Sequence, residues 1–279
     1  MTTSQTATPD FDALAGIARE LRIDVLKMLN KAGSGHPGGS LGMADVFTTL
    51  WFGGHMHVDP KNPAWADRDR FVLSNGHICP ILYAILARKG YFPRDDLWTL
   101  RQLGSPLQGH PDFHHTVGVD CCTGSLGNGV SVALGMALAA RVTGKHYRVY
   151  VGSSDGESEE GQVWEMAEAA AHHGVDNLTV LVDWNGIQID GFTKDGMDVR
   201  DLRAKYEAFG WHAVTVDGHD MPALHAALEQ AKTVKGRPQV ICCRTVLGKP
   251  ISFMENVSKW HGVAPDDAQL ATALAELGA

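Results

Sequence analysis

Apolar residues at positions 14, 17, 21, 25 and 28 recur at three- and four-residue steps, which predicts an amphipathic helix ending near Gly33. The next stretch, "SGHPGGS", reads as a loop, and a second helix is expected over residues 41–52 before the turn "DPKNP". A short apolar run, "RFVLS", then predicts a strand, followed by the turn "NGH" and a helix over 79–89 with Pro80 in its first turn. Residues 104–124 lack periodicity and read as a long loop, and 126–142, rich in small residues, as a helix stopped by Gly144. From there strand and helix alternate: "YRVYV", a helix over 160–173, "LTVLVD", a helix over 199–209, "WHAVTV", a helix over 221–234 and "PQVICC". Runs such as "LTVLVD" are apolar on both sides of the pleat, as interior parallel strands are. The order predicts an α/β fold: three layers, α/β/α, around a mostly parallel central sheet. A final helix over 266–277 reads as a terminal appendage.

No linker or internal repeat interrupts this pattern, so residues 11–279 are expected to form a single α/β domain, preceded by a polar, aperiodic tail over residues 1–10. That tail lacks the basic and apolar regions of a signal peptide, and no run approaches a membrane span, which predicts a cytoplasmic protein without membrane contact. The formal charge, 24 − 32 = −8, comes with no basic cluster, which argues against nucleic acid. Five cysteines, at 79, 121, 122, 242 and 243, have no C-x-x-C spacing and read as small apolar residues outside any disulfide framework.

Against this background the segment "SSDGESEEG" stands out, because it places Asp155 and three glutamates at the end of a buried strand. In open parallel sheets, ligands gather beyond the carboxyl ends of the strands. Asn185 falls just past the next strand, and 185 − 155 = 30 residues is the length of one βαβ crossover. A carboxylate and a side-chain amide would thus meet above the sheet edge as hard oxygen ligands for Mg²⁺ (or Ca²⁺ or Mn²⁺), joined by a main-chain carbonyl near Ile187. Gly156 would let a phosphate approach the backbone, and the following helix would offer it free N–H groups. The alternative is a solvated turn, since Asp, Gly and Asn are ordinary turn residues.

Fourteen histidines are present, of which His36, His77 and His110 follow glycines and His261 precedes one. Such pairs let a ligand crowd the backbone beside a proton-exchanging ring, although most Gly-His pairs are merely solvated. His55 and His57 form an H-x-H with no third ligand apparent along the chain.

The acidic segment and the Asn thirty residues on resemble the thiamine-diphosphate motif, and over residues 14–265 the chain resembles the N-terminal part of transketolase. Seven motifs appear in that family's order: "GSGHPGGSLGMA", "DRFVLSNGH", "GHPD", "TGSLGNG", "SDGESEEG", "WNGIQIDG" and "HGVAP". Ser154 stands where the family usually has Gly, and Trp184 precedes a single Asn; neither removes a metal ligand. The resemblance implies that His77 and His261 contact the cofactor diphosphate, His261 also facing substrate. It further implies that His36 and His110 bind the donor sugar's hydroxyls, that Gly124 and Leu126 support the aminopyrimidine, and that Glu160 links paired active sites. In the family, the glutamate that activates the pyrimidine lies in a second domain, before which this chain ends. The expectation is therefore one subunit of a split, α2β2 transketolase. It would transfer a two-carbon ketol unit between sugar phosphates, and only with a separate C-terminal subunit. Alternatives are a subunit resembling deoxyxylulose-phosphate synthase or a 2-oxo acid dehydrogenase α chain, or a non-catalytic scaffold.

Overall fold

The computed structural model describes residues 8–279; residues 1–7, most of the expected tail, lie outside the described residues. Asp10 caps α1 (Phe11–Ala32), its carboxylate accepting from the Asp12 and Ala13 amides, and Gly33 ends the helix at φ 65°. The segment expected as a loop and one helix is instead two helices, α2 (Pro37–Gly42) and α3 (Ala44–Phe52). Two adjacent glycines would oppose helix formation, yet here they permit contact: a Cβ on Gly38 would sit 2.6 Å from Leu247 Cγ, and one on Gly39 2.7 Å from Ile78 Cγ2. Tertiary packing overrides local propensity at α2.

Strand β1 (Arg70–Leu73) leads into α4 (Cys79–Lys89), and the irregular stretch after it ends at α5 (Asn128–Val142). Alternation then follows through β2 (Val149–Ser154), α6 (Gly161–His172) and β3 (Leu178–Trp184). A short antiparallel hairpin, β4 (Ile187–Gln188) and β5 (Gly191–Phe192), and one helical turn, α7 (Thr193–Gly196), add to the expected elements, being too short for any periodicity to register. The chain finishes with α8 (Leu202–Ala208), β6 (His212–Asp217), α9 (Met221–Thr233), β7 (Gln239–Arg244) and α10 (Asp267–Glu276).

The five long strands form one parallel sheet in the order β1-β2-β3-β7-β6. Alternate side chains feed two cores. Tyr150, Leu181, Ile241 and Cys243 pack on the side of α1, α3, α4 and α9, while Val151, Val180, Val182 and Cys242 pack on the side of α5, α6 and α8. This is the expected three-layer α/β arrangement with a mostly parallel sheet. It also accounts for the adjacent cysteines 242 and 243, which are free, buried and on opposite faces. Burial pushes the Cys242 thiol up to about 12 and raises that of Cys243 as well, so both behave as apolar groups. Among the described residues no helix is long and apolar enough to cross a membrane.

Candidate functional site

Strands β2 and β3 pair with Ser154 opposite Asp183, so Asp155 and the turn that carries Asn185 leave the sheet together. Asp155 is fully buried; its Oδ1 accepts from the Gly156 amide at 2.9 Å and its Oδ2 from the Gly186 amide at 2.6 Å. The second bond ties the carboxylate directly to the residue after Asn185. Asn185 Oδ1 accepts from the Ile187 amide at 2.8 Å, and its Nδ2 donates to Asp183 Oδ2 at 2.9 Å.

Asp183 is a site residue that sequence reasoning missed. It is 2% exposed, its Oδ1 takes the Thr245 hydroxyl, and it sits close enough to Asp155 for charge to be felt. Burial and the Asp183 charge push the Asp155 carboxyl up to about 8, and burial pushes Asp183 up to about 6. Two carboxyls crowded in a dry corner, with Asn185 between them, form an oxygen-rich site that a hard divalent cation would relieve. The signal that could have revealed Asp183 is an acid inside an otherwise apolar strand.

Above this corner lies a cavity of about 410 Å³, lined by Ser154, Gly156, Asn185 and Ile187 at its floor and by Gly124 and Leu126 on one wall. Another wall is formed by His36, His77 and His261, which arrive from loops before α2, after β1 and after β7. His36 meets the other two rings edge to face, with centroids 5.1 Å (His77) and 5.6 Å (His261) away, while His77 and His261 are tilted by 31° at 5.1 Å. A Cβ at Gly262 would meet the His36 ring at an ordinary 3.5 Å and would press on Ile189 Cδ1, 3.1 Å away. Burial, reinforced by His261 and Arg101, drops His36 to about 4. Burial likewise lowers His77 and His261, so the trio is neutral at physiological pH. His110 stands further out, exposed and against Gly124, and burial together with Arg101 lowers it too. Glu160, also exposed, lines the cavity mouth beside Gly127.

Three buried polar atoms on the cavity residues, His36 Nδ1, His261 Nδ1 and Glu159 Oε1, have no hydrogen-bond partner among the described residues. Such groups are rare in folded chains and point to a ligand that pairs with them. The residues present therefore fit a metal-bound diphosphate: oxygens at the floor, neutral imidazoles at the wall.

The amides that directly follow Gly156 are already paired, because a 3₁₀ turn (Glu157–Glu159) intervenes before α6. The Gly156 and Glu157 amides go to Asp155 Oδ1 and Ser154 Oγ, and those of Ser158, Glu159 and Glu160 to carbonyls within the turn. Glu157 also escaped the sequence reasoning. It is fully buried and accepts from Ser74 Oγ at 2.5 Å, the Gly127 amide at 2.8 Å and Ser153 Oγ at 2.7 Å, fastening the ends of β1 and β2 to the "TGSLGNG" loop.

Comparison with known proteins agrees with this geometry. The family model for the transketolase, thiamine diphosphate binding domain, matches residues 13–279. The chain is 43% identical over 268 residues to the 6-deoxy-6-sulfo-D-fructose transketolase subunit SqwG of Clostridium sp. (strain MSTE9), covering 96% of each chain. It is 36% identical over 253 residues to an apulose-4-phosphate transketolase subunit of Phocaeicola vulgatus, covering 91% of this chain and 89% of that one. Among solved structures, transketolase from Leishmania mexicana superposes with a TM-score of 0.90 at 35% identity. That match covers 98% of this chain but only 42% of the larger protein.

Proposed function

The chain belongs to the transketolase thiamine diphosphate binding family, and we propose that it is the metal- and diphosphate-binding subunit of a two-chain transketolase. The observation that carries the reading is the meeting of Asp155 and the Asn185 turn at the carboxyl edge of two adjacent parallel strands, beneath a histidine-lined cavity. Thiamine diphosphate, when bound, supplies an electron sink that lets the bond between a ketose carbonyl carbon and its neighbour break. Asp155, Asn185 and the Ile187 carbonyl hold Mg²⁺. Gly156 keeps side-chain bulk away from the phosphates, to which His77 and His261 donate. His36 and His110 orient the donor hydroxyls, and as a neutral imidazole His36 can take up or return a proton at Nδ1. Gly124 and Leu126 support the aminopyrimidine, and Glu160 reaches a second copy of the site.

What supports a separate pyrimidine-side chain is that the two relatives matched over most of their own length are both named as subunits. The proposed assembly is a heterotetramer with two copies of each chain and the cofactor at the interfaces between them. The names of those relatives also bear on the donor, since one specifies a sulfonated ketose and the other a branched sugar phosphate. The test is to combine this chain with a C-terminal transketolase subunit, thiamine diphosphate and Mg²⁺, and to follow ketol transfer from fructose 6-phosphate, 6-deoxy-6-sulfofructose and pyruvate. Transfer from a ketose that requires both chains supports the proposal. Robust transfer by this chain alone, or a preference for pyruvate, refutes it.

A further inference from the structure

The H-x-H at residues 55–57 does not act as a pair: His57 is exposed and turns to Asp69, with Nδ1 3.4 Å from Oδ2. His55 turns the other way, into the protein, and meets two residues one turn apart on α9. Its Nε2 is 2.9 Å from His225 Nδ1, and its Nδ1 is 3.1 Å from Glu229 Oε1. The ligating atoms of His55, His225 and Glu229 all lie within 4.8 Å of one another. His55 is 0% exposed, so its ring lies wholly within the protein, held between His225 and Glu229.

We propose that His55, His225 and Glu229 form a second metal site, for zinc or a similar borderline divalent ion, separate from the catalytic cavity. Two imidazoles and a carboxylate are the donor set such ions favour, whereas Mg²⁺ prefers an all-oxygen shell. Metal–nitrogen bonds of about 2.0–2.1 Å in a tetrahedral shell place neighbouring donors about 3.3 Å apart. One imidazole nitrogen of His55 can serve the ion; with Nε2 as donor the two rings need to part by only a few tenths of an ångström, while Glu229, which faces Nδ1 at 3.1 Å, must swing from that nitrogen and from the Lys232 ammonium, now 2.7 Å away, to the metal. Water would complete the shell. The site is anchored from the sheet, since Tyr150 donates its hydroxyl to the His55 carbonyl at 3.1 Å. Tyr150 and Asp155 lie five residues apart along the β2 segment, about 16 Å, so the two metals would not compete for ligands.

The test titrates Zn²⁺ into the full chain in millimolar Mg²⁺ against a chromophoric chelator, and records the absorption of the Co²⁺-substituted protein. Wild type should bind one Zn²⁺ whose affinity falls about tenfold or more in His225→Gln and in Glu229→Gln. His57→Gln and Asp155→Asn should leave it unchanged. Intense visible bands from four-coordinate Co²⁺ should appear in wild type and vanish in His225→Gln. Zinc affinity equal in wild type and in the folded His225 and Glu229 variants overturns the proposal. So do absent Co²⁺ bands in wild type, whatever the stability of the variants, and loss of the site in His57→Gln.

Discussion

Asp155→Asn should have opposite effects on the stability of the metal-free chain at the two ends of the pH range. In the folded chain the Asp155 carboxyl is pushed from its usual 3.8 up to about 8 by burial and by Asp183. The unfolded chain gives up that proton near 3.8, so ionisation favours unfolding, and stability is lost as pH rises through the interval up to about 8. At 1.36 kcal/mol per pKa unit the full penalty has a ceiling of about 6 kcal/mol. Asparagine never incurs it. It does lose an acceptor, because one of the two amides now bonded to the carboxylate, Gly156 or Gly186, must face an NH₂ group, a cost of about 1–3 kcal/mol. Without metal, the variant should therefore be less stable than wild type near pH 4 and more stable by about 3 kcal/mol near pH 8.5, or about 6–12 °C in Tm for a chain of this size. Mg²⁺ and thiamine diphosphate together reverse the order at the higher pH. A ligand at a thousand times its Kd stabilises wild type by about 4.1 kcal/mol, and the variant gains nothing. Thermal unfolding of both proteins from pH 4 to 9, with and without metal and cofactor, reads all four conditions. A variant less stable than wild type at every pH, or one stabilised by cofactor as much as wild type, would refute the reasoning.

Glu157→Leu leaves all three of its donors without an acceptor and should cost about 3 kcal/mol or more, measured as a fall in Tm; an unchanged Tm would contradict its role as a fastener. Arg22→Met strips the buried Asp45 carboxylate of its two guanidinium bonds, at 2.9 and 2.7 Å, and should lower stability by about 3–5 kcal/mol in urea unfolding. His110→Ala, at an exposed ring, should leave Tm nearly unchanged and reduce kcat/KM of the reconstituted two-chain enzyme about a hundredfold; unaltered kinetics would remove His110 from the site.

The parts of the molecule legible in the sequence are those set by local rules. Short apolar runs and period-3.6 patterns located every long strand and helix to within a few residues, and the thirty-residue spacing of Asp155 and Asn185 is the length of one crossover, so their adjacency needed no knowledge of distant contacts. What escaped was decided by partners far along the chain. Gly38 and Gly39 read as loop because the Leu247 and Ile78 contacts that hold α2 lie in other segments. His219 carries no signal alone, yet its Nδ1 bonds Asp45 at 2.8 Å while its Nε2 accepts from the Val246 amide at 2.9 Å, joining α3 to the loop after β7. His55 looks along the chain like half of a pair with His57, although its companions in space sit on α9.

The same distinction divides the candidate site. Its metal floor rests on one βαβ unit and can form when β2 and β3 pair. The histidine wall draws His36, His77 and His261 from three loops that converge only once both helical layers are packed. Their depressed proton affinity is a property of that packing, because burial is its leading cause in all three rings. Ring protonation therefore opposes closure of the wall. Below about pH 4 a protonated His36 would have to leave the buried cluster, so acid should open the diphosphate wall while the sheet edge beneath it, with both carboxyls neutral, stays paired.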